Sequence, residues 1–272
     1  MCRWLAYSGP ELLLERLLFA PNNSLIRQSL SAQESIAPTN GDGFGLGWYG
    51  EHEHPGLFRD TLPAWNDANL RSLSEQIQSK LFFAHVRAST GTSTSRENCH
   101  PFKLGRLIFM HNGRVGGYGS IRRDIEQMIP GPYYNHRRGT TDSEAFFLLA
   151  LGQGAEEDPI GGLGRAIALI VALMQKKNIA EPFRMTAAYS DGTRLVALRH
   201  SSDGQSPSLY WATGSTIEVE DGVVGLPAGS GATLILSEPL DAGDLTWREV
   251  PEGHALMSQN GELTVEPLEI AT

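Results

Sequence analysis

Met1-Cys2-Arg3-Trp4 opens the chain, and a thiol one residue after an initiator methionine decides how everything downstream is read. The enzyme that removes initiator methionine prefers a small side chain next to it, so the mature chain is expected to begin with Cys2. A free α-amine would then sit beside a thiol. The amine titrates near about pH 8 and the thiol near about pH 8.5. The amine, directly or through one water, can therefore take the thiol proton and later return it to a leaving group. One residue would supply both nucleophile and base. A cysteine by itself is more often a small buried hydrophobe, so the other motifs must decide.

The 272 residues suffice for one large domain or two small ones, and 40% hydrophobic residues can fill a sizeable core. Strand-like and helix-like segments are mixed throughout, with no repeat and no low-complexity tract, which predicts a single domain over residues 1–272. There is no signal-type n-region and h-region, and the longest apolar run, Ala166 to Met174, is too short to span a bilayer. A cytoplasmic protein with no membrane partner is expected. Cys2 and Cys99 are the only cysteines, too few for a disulfide framework, and a leading free thiol fits a reducing compartment. The net charge of −9 argues against nucleic-acid binding, which needs concentrated positive charge. Arg122-Arg123 and His136-Arg137-Arg138 are read as solvated surface, or as the border of a site for an anionic substrate.

Helices are expected over Leu12 to Phe19, Ser143 to Leu151 and Leu163 to Lys177, the second capped by Thr141-Asp142. Gly43 to Tyr49, Leu81 to Val86 and Leu107 to Met110 read as buried strands. After Arg184 the pattern becomes strand-rich: Met185 to Tyr189, Arg194 to Arg199, Ser208 to Ala212, Thr233 to Ser237, Thr246 to Val250, His254 to Ser258 and Leu263 to Pro267. Asp191-Gly192, Asp203-Gly204 and Asn260-Gly261 mark the turns. Strands, then helices, then strands predict stacked sheets covered by helices, an α+β class. Gly161-Gly162-Leu163-Gly164 lacks the lysine of a phosphate loop and reads as a helix-start turn. His52 and His54 lie in a polar turn without further ligands at suitable spacing, so neither metal nor cofactor is implied.

Four segments carry chemistry: Cys2-Arg3, His85-Val86-Arg87-Ala88-Ser89-Thr90-Gly91, His111-Asn112-Gly113 and Thr140-Thr141-Asp142-Ser143-Glu144. In this order and spacing they resemble the glutaminase domain of the class II glutamine amidotransferases, which are N-terminal nucleophile hydrolases. Pro21-Asn22-Asn23-Ser24-Leu25, Asn40-Gly41-Asp42-Gly43-Phe44-Gly45, Leu62-Pro63-Ala64-Trp65-Asn66-Asp67, His100-Pro101-Phe102 and Ser237-Glu238-Pro239-Leu240 bring the chain closest to stand-alone members similar to the γ-glutamyl amide hydrolase of ergothioneine biosynthesis.

The resemblance implies a four-layer αββα sandwich with Cys2 at the start of a central strand, and a small-molecule γ-glutamyl substrate. Cys2 would be the nucleophile, and Asn112 with the Gly113 N–H the oxyanion hole; read alone, Asn-Gly is a hairpin turn. Arg87 matches the arginine that grips the substrate carboxylate, a task suited to a planar fork, and Thr90 the threonine beside it. Asp142 matches the aspartate that pairs with the α-ammonium; its local reading is a helix N-cap. Arg3 and Asp42 match positions that support the nucleophile's surroundings. Ser24 carries no defined role, and His85, His100 and His111 are expected to brace strands rather than to react. Three functions remain open at this point. They are hydrolysis of a γ-glutamyl amide through a Cys2 thioester, delivery of ammonia to a separate synthase partner, and non-catalytic binding of a γ-glutamyl ligand. A homodimer is compatible with each.

Overall fold

The computed structural model describes residues 2–34, 39–89, 93–243 and 247–270. Its first strand, β1 (Arg3–Leu13), is apolar on both faces over Trp4, Leu5, Ala6 and Tyr7, a pattern that suits a strand covered on both sides. It leads to the single turn α1 (Glu15–Leu18) and the short helix α2 (Leu25–Leu30). There follow β2 (Phe44–Tyr49), β3 (Gly56–Asp60), α3 (Ala68–Ser74), β4 (Gln78–Val86), β5 (Phe102–Leu104) and β6 (Leu107–Arg114). Four helices come next: α4 (Tyr118–Met128), α5 (Gly131–Tyr134), α6 (Asp142–Gly152) and α7 (Pro159–Lys176). The chain closes with β7 (Arg184–Ser190), β8 (Arg194–Ser201), β9 (Tyr210–Gly214), β10 (Glu218–Glu220), β11 (Val223–Gly225), β12 (Ala232–Leu236), β13 (Arg248–Glu249), β14 (His254–Gln259) and β15 (Glu262–Pro267).

Two antiparallel sheets result, in the orders β13-β9-β12-β1-β4-β2-β3 and β15-β14-β8-β7-β6-β5, beside a small β10-β11 ribbon. Side chains alternate across a strand, and this sorts the interior into three apolar clusters. Trp4, Ala6, Leu81, Phe83, Ile108, Met110, Ala188 and Ala197 meet between the sheets. Leu5, Tyr7, Phe82, Ala84 and Val86 face outward beneath α1, α2 and α3. Leu107, Phe109, Ala187 and Tyr189 face outward from the other sheet beneath α4, α6 and α7. The four layers are thus helices, sheet, sheet, helices, an α+β sandwich of the αββα kind, with β1 in the middle of its sheet.

Helix α6 is buried over Ser143–Leu151, as a helix that is apolar all round must be. Helix α7 has the length and mean hydropathy, 1.2, of a membrane-crossing segment. Its apolar face, however, is spent on the sheet through Leu163, Ala166, Ile167 and Ile170.

Several sequence expectations need correction. Leu12 and Leu13 belong to β1, where they pair with Ser79 and Gln78, so strand pairing overrides their helical spacing and α1 is one turn long. Strand β6 does not end at Met110 but runs through Asn112-Gly113 to Arg114. Gly161, Gly162 and Gly164 lie inside α7, whose N-cap Asp158 accepts from the Gly161 N–H at 3.0 Å. A Cβ on Gly162 would collide with the Ala155 backbone. The segment expected as a strand over Thr246 to Val250 lies partly outside the described residues and is a strand only at Arg248–Glu249. Arg137 is not solvated surface: its side chain is 7% exposed and paired with Glu144 at 2.7 Å and Glu126 at 3.3 Å.

Candidate active site

Residue parity on the strands fixes which side chains can meet. On β1, Trp4 and Ala6 face the gap between the sheets, so Cys2, two residues before Trp4, falls on that side. On β4, Leu81 and Phe83 face the gap, which carries His85 and Arg87 to the same side. On β6, Ile108 and Met110 do so, and Asn112 follows. The register Trp4↔His85 and two cross-sheet bonds draw these strand ends together. His85 Nε2 lies 3.3 Å from the His111 carbonyl oxygen. Trp4 Nε1 donates to Thr186 Oγ1 at 3.3 Å, and that hydroxyl donates to the Asn112 carbonyl at 3.4 Å.

Cys2 is half-buried and its Sγ stands 3.6 Å from the Ala88 carbonyl oxygen, to which the thiol donates. Burial pushes the thiol pKa up, while the Arg87 and Arg3 guanidiniums pull against it. A thiol in that setting stays protonated near neutrality and needs a base to react. Arg3 is fully buried, donates from Nη1 to the Cys2 carbonyl at 3.1 Å and pairs through Nε with Glu238 at 3.1 Å. Glu238, itself 2% exposed, also accepts from Asn23 Nδ2 and from the Gln33 and Glu34 N–H groups at 3.0–3.1 Å. This buried carboxylate anchors the residue next to the thiol, and its part was not evident from sequence, where a lone glutamate reads as surface.

At the far end of β4, Arg87 is 3% exposed. It donates to the Asp42 carbonyl at 3.1 Å, to Ser89 Oγ at 3.1 Å and to the Ser93 carbonyl at 3.3 Å. The Asp42 carboxylate accepts from the Ser89 N–H at 2.7 Å, so Asp42 shapes the turn that aims the arginine. Thr90 lies outside the described residues. Ser24 is the N-cap of α2, distant in role from this chemistry.

Asn112-Gly113 is no turn. Asn112 pairs with Thr186 and Gly113 with Met185 across β7. Gly113 has φ +148°, and a Cβ there would collide with the Arg184 carbonyl, so glycine is required in a strand interior. Asn112 is 1% exposed, yet neither amide atom of its side chain has a partner among the described residues. Buried carboxamides are nearly always bonded; Asn112 shares this unpartnered state with the buried Asn40 side chain, and differs from it in standing on β6 in line with Ile108 and Met110, which face the gap between the sheets.

Asp142 lies at the first turn of α6, and Thr141 caps the helix instead by accepting from the Glu144 N–H at 3.2 Å. The N-cap expected at Asp142 is thereby corrected. Its Oδ2 accepts from the Val115 N–H at 2.8 Å, and its Oδ1 from the Ser143 N–H at 2.9 Å and the Ser143 hydroxyl at 3.3 Å. The same hydroxyl sits 2.8 Å from His111 Nδ1. Among the described residues no three His, Cys, Asp or Glu side chains are grouped to hold a metal.

The histidines His85, His100 and His111 are at most 4% exposed, and His85 stacks on His100 at 4.2 Å between ring centroids. Burial pushes His85 down to about 3, His100 well below its ordinary value and His111 downward as well, the last opposed by Asp142. All three are neutral at pH 7. The unfolded chain binds their protons more readily, so the stability from keeping His85 neutral is complete above about pH 6.5 and is lost as pH falls toward 3. Taking the protein from pH 7 to pH 5 should cost about 2 kcal/mol through His85 alone, a drop of several degrees in melting temperature. His100→Phe and His85→Gln should each flatten that acid slope. Slopes unchanged in both variants would assign the loss to carboxylates.

Residues 21–270 match the family model for class-II glutamine amidotransferases. The chain is 33% identical to the probable glutamine amidotransferase DUG3 of Saccharomyces cerevisiae, over 98% of this chain and 84% of that protein. It is 25% identical to a γ-glutamyl-hercynylcysteine sulfoxide hydrolase of Mycolicibacterium smegmatis, over 98% of this chain and 100% of that one. Among solved structures, a glutamine aminotransferase class-II domain protein from Silicibacter pomeroyi superimposes with a TM-score of 0.76 at 33% identity, covering 99% of this chain and 100% of the other. The glutamine phosphoribosylpyrophosphate amidotransferase of B. subtilis shares the fold, with a TM-score of 0.63 at 15% identity, and this chain covers 50% of it.

Proposed function

Because the chain belongs to the class-II glutamine amidotransferases, we propose that it is a single-domain enzyme that hydrolyses a γ-glutamyl amide, glutamine or a γ-glutamyl conjugate, through a thioester on Cys2. The observation that carries this reading is the buried, unpartnered Asn112 carboxamide on the face of β6 that Cys2 and Arg87 share across the gap between the sheets.

The steps follow from the groups available. With Met1 removed, the Cys2 amine takes the thiol proton, and sulfur attacks the γ-carbonyl carbon. The Asn112 Nδ2–H and Gly113 N–H donate to the developing oxyanion. Collapse breaks the carbon–nitrogen bond, and the amine of Cys2 passes its proton to the departing nitrogen. Water then attacks the thioester, releases glutamate and regenerates the thiol. Arg87, and Thr90 as the family resemblance implies, hold the α-carboxylate, and Asp142 the α-ammonium, through both steps. No metal or cofactor enters.

Hydrolysis is placed ahead of ammonia delivery because a relative matched over its whole length carries the name of a γ-glutamyl-hercynylcysteine sulfoxide hydrolase. The test compares a γ-glutamyl anilide with its des-amino glutaryl analogue in wild type and Asp142→Asn. An unpaired ammonium costs about 2 kcal/mol, roughly 30-fold in kcat/KM, so wild type should prefer the γ-glutamyl compound by about that factor and the variant should lose the preference. Equal discrimination by both would confine Asp142 to helix structure. Glutamine turned over only after a partner protein is added would replace hydrolysis by ammonia supply.

A further inference from the structure

Asp142 grips β6 on both sides of the Asn112-Gly113 pair. Downstream, its Oδ2 accepts from the Val115 N–H at 2.8 Å. Upstream, its Oδ1 is linked through the Ser143 hydroxyl, 3.3 Å away, to His111 Nδ1 at 2.8 Å from that hydroxyl. The Ser143 hydroxyl thus lies within hydrogen-bond reach of Asp142 Oδ1 and His111 Nδ1 together, with the direction of the second bond set by the His111 tautomer. The His111 backbone is held from the opposite side, where its carbonyl faces His85 Nε2 at 3.3 Å. Ser143 and His111 are 5% and 2% exposed, so water does not compete for these bonds.

The next residue, Asn112, has no bond of its own to orient its carboxamide among the described residues. Its aim is inherited from the backbone on either side, and that backbone is bracketed by one carboxylate. Gly113, at φ +148°, adds a conformation that only the surrounding contacts can hold.

We propose that Ser143 and His111 are positioning residues that transmit the hold of Asp142 on the substrate ammonium to the oxyanion donors of Asn112-Gly113. The proposal rests on the γ-glutamyl reading above and adds a coupling to it. Asp142 has two effects on one substrate. Direct pairing with the ammonium sets affinity. The relay sets how well the oxyanion site is formed, and this effect falls on kcat. A substrate that brings the ammonium locks the carboxylate, and through Ser143 and His111 it locks the strand beside Asn112. A substrate without it leaves the bracket loose.

The experiment measures kcat and KM separately for γ-glutamyl and glutaryl p-nitroanilide in wild type, Ser143→Ala, Ser143→Thr and His111→Gln, with melting temperatures for each. In wild type the ammonium should raise kcat about tenfold, the scale of one well-placed hydrogen-bond contact, besides lowering KM. In Ser143→Ala and in His111→Gln the kcat advantage should shrink to within about threefold while the KM advantage remains. Ser143→Thr keeps the hydroxyl and should keep the kcat advantage. A purely structural role would scale both substrates alike, so a kcat ratio unchanged in folded Ser143→Ala or His111→Gln overturns the proposal. So does loss of the ratio in Ser143→Thr, because the hydroxyl would then not be the device. The γ-glutamyl reading fails by a different sign: wild type would hydrolyse neither compound, or would hydrolyse them with Cys2 absent.

Discussion

Cys2→Ala should leave a folded protein with no measurable turnover. Deleting the nucleophile of a covalent mechanism costs on the order of 10⁴- to 10⁶-fold in kcat, since what remains is oxyanion stabilisation and binding alone. The fold should survive because Cys2 precedes β1 and is only half-buried, so a single sulfur is lost and no core packing. Substrate affinity should be retained, because the groups proposed to grip the glutamyl end, Arg87 just past β4 and Asp142 on α6, are left intact. Cys99 is the internal control. It is fully buried and its Sγ faces the Asp60 and Ser95 carbonyls at 3.4 Å. Burial also pushes its thiol up to about 11. Cys99→Ala should therefore keep its activity, and parallel kinetics of the two alanine variants, with circular dichroism to confirm folding, would check both statements. A Cys2→Ala protein that still turned over substrate would remove the mechanism.

Asn112→Ala should lower kcat about 100- to 1,000-fold, the usual cost of one preorganised oxyanion donor, with little change in KM. Its effect on stability should run the other way or vanish. A buried carboxamide without partners is costly to keep, so its removal relieves a penalty, and sites built for function commonly carry such local costs. A structural asparagine would behave in the opposite manner, with a lower melting temperature and an unchanged kcat. Urea titration and steady-state kinetics on one preparation separate the two outcomes.

The parts of this molecule that were legible in its sequence are those where local pattern and tertiary environment agree. Strands β7, β8, β9, β12, β14 and β15 and the turns at Asp191-Gly192, Asp203-Gly204 and Asn260-Gly261 emerge within a few residues of expectation, the three glycines all at positive φ, whereas the β10-β11 ribbon had no counterpart among the expected strands. The failures share a physical cause, which is that pairing and burial across the chain outvote local signals. Asn-Gly is the strongest short hairpin signal, yet β7 pairs straight through it. Leu12 and Leu13 have helical spacing but are claimed by β4. Arg137 reads as a surface charge and is buried because it finds Glu126 and Glu144 as partners. Helices α2 and α3 are short, while α4 carries helical spacing at Tyr118, Ile121, Ile125 and Met128 that was not singled out. In the site itself, residue types were legible motif by motif. The bracket that Asp142, Ser143 and His111 form around Asn112 was not, since a three-residue relay has no signature in spacing.

The most direct measurement for the central claim is mass mapping of the protein after treatment with a γ-glutamyl diazoketone, an analogue that alkylates the thiol attacking its carbonyl position. The expected result is one γ-glutamyl-derived adduct on a peptide that begins at Cys2, with Met1 gone and Cys99 unmodified. An adduct on Cys99, or a fully active protein whose N-terminal peptide still carries Met1, would contradict the assignment of Cys2 as both nucleophile and base.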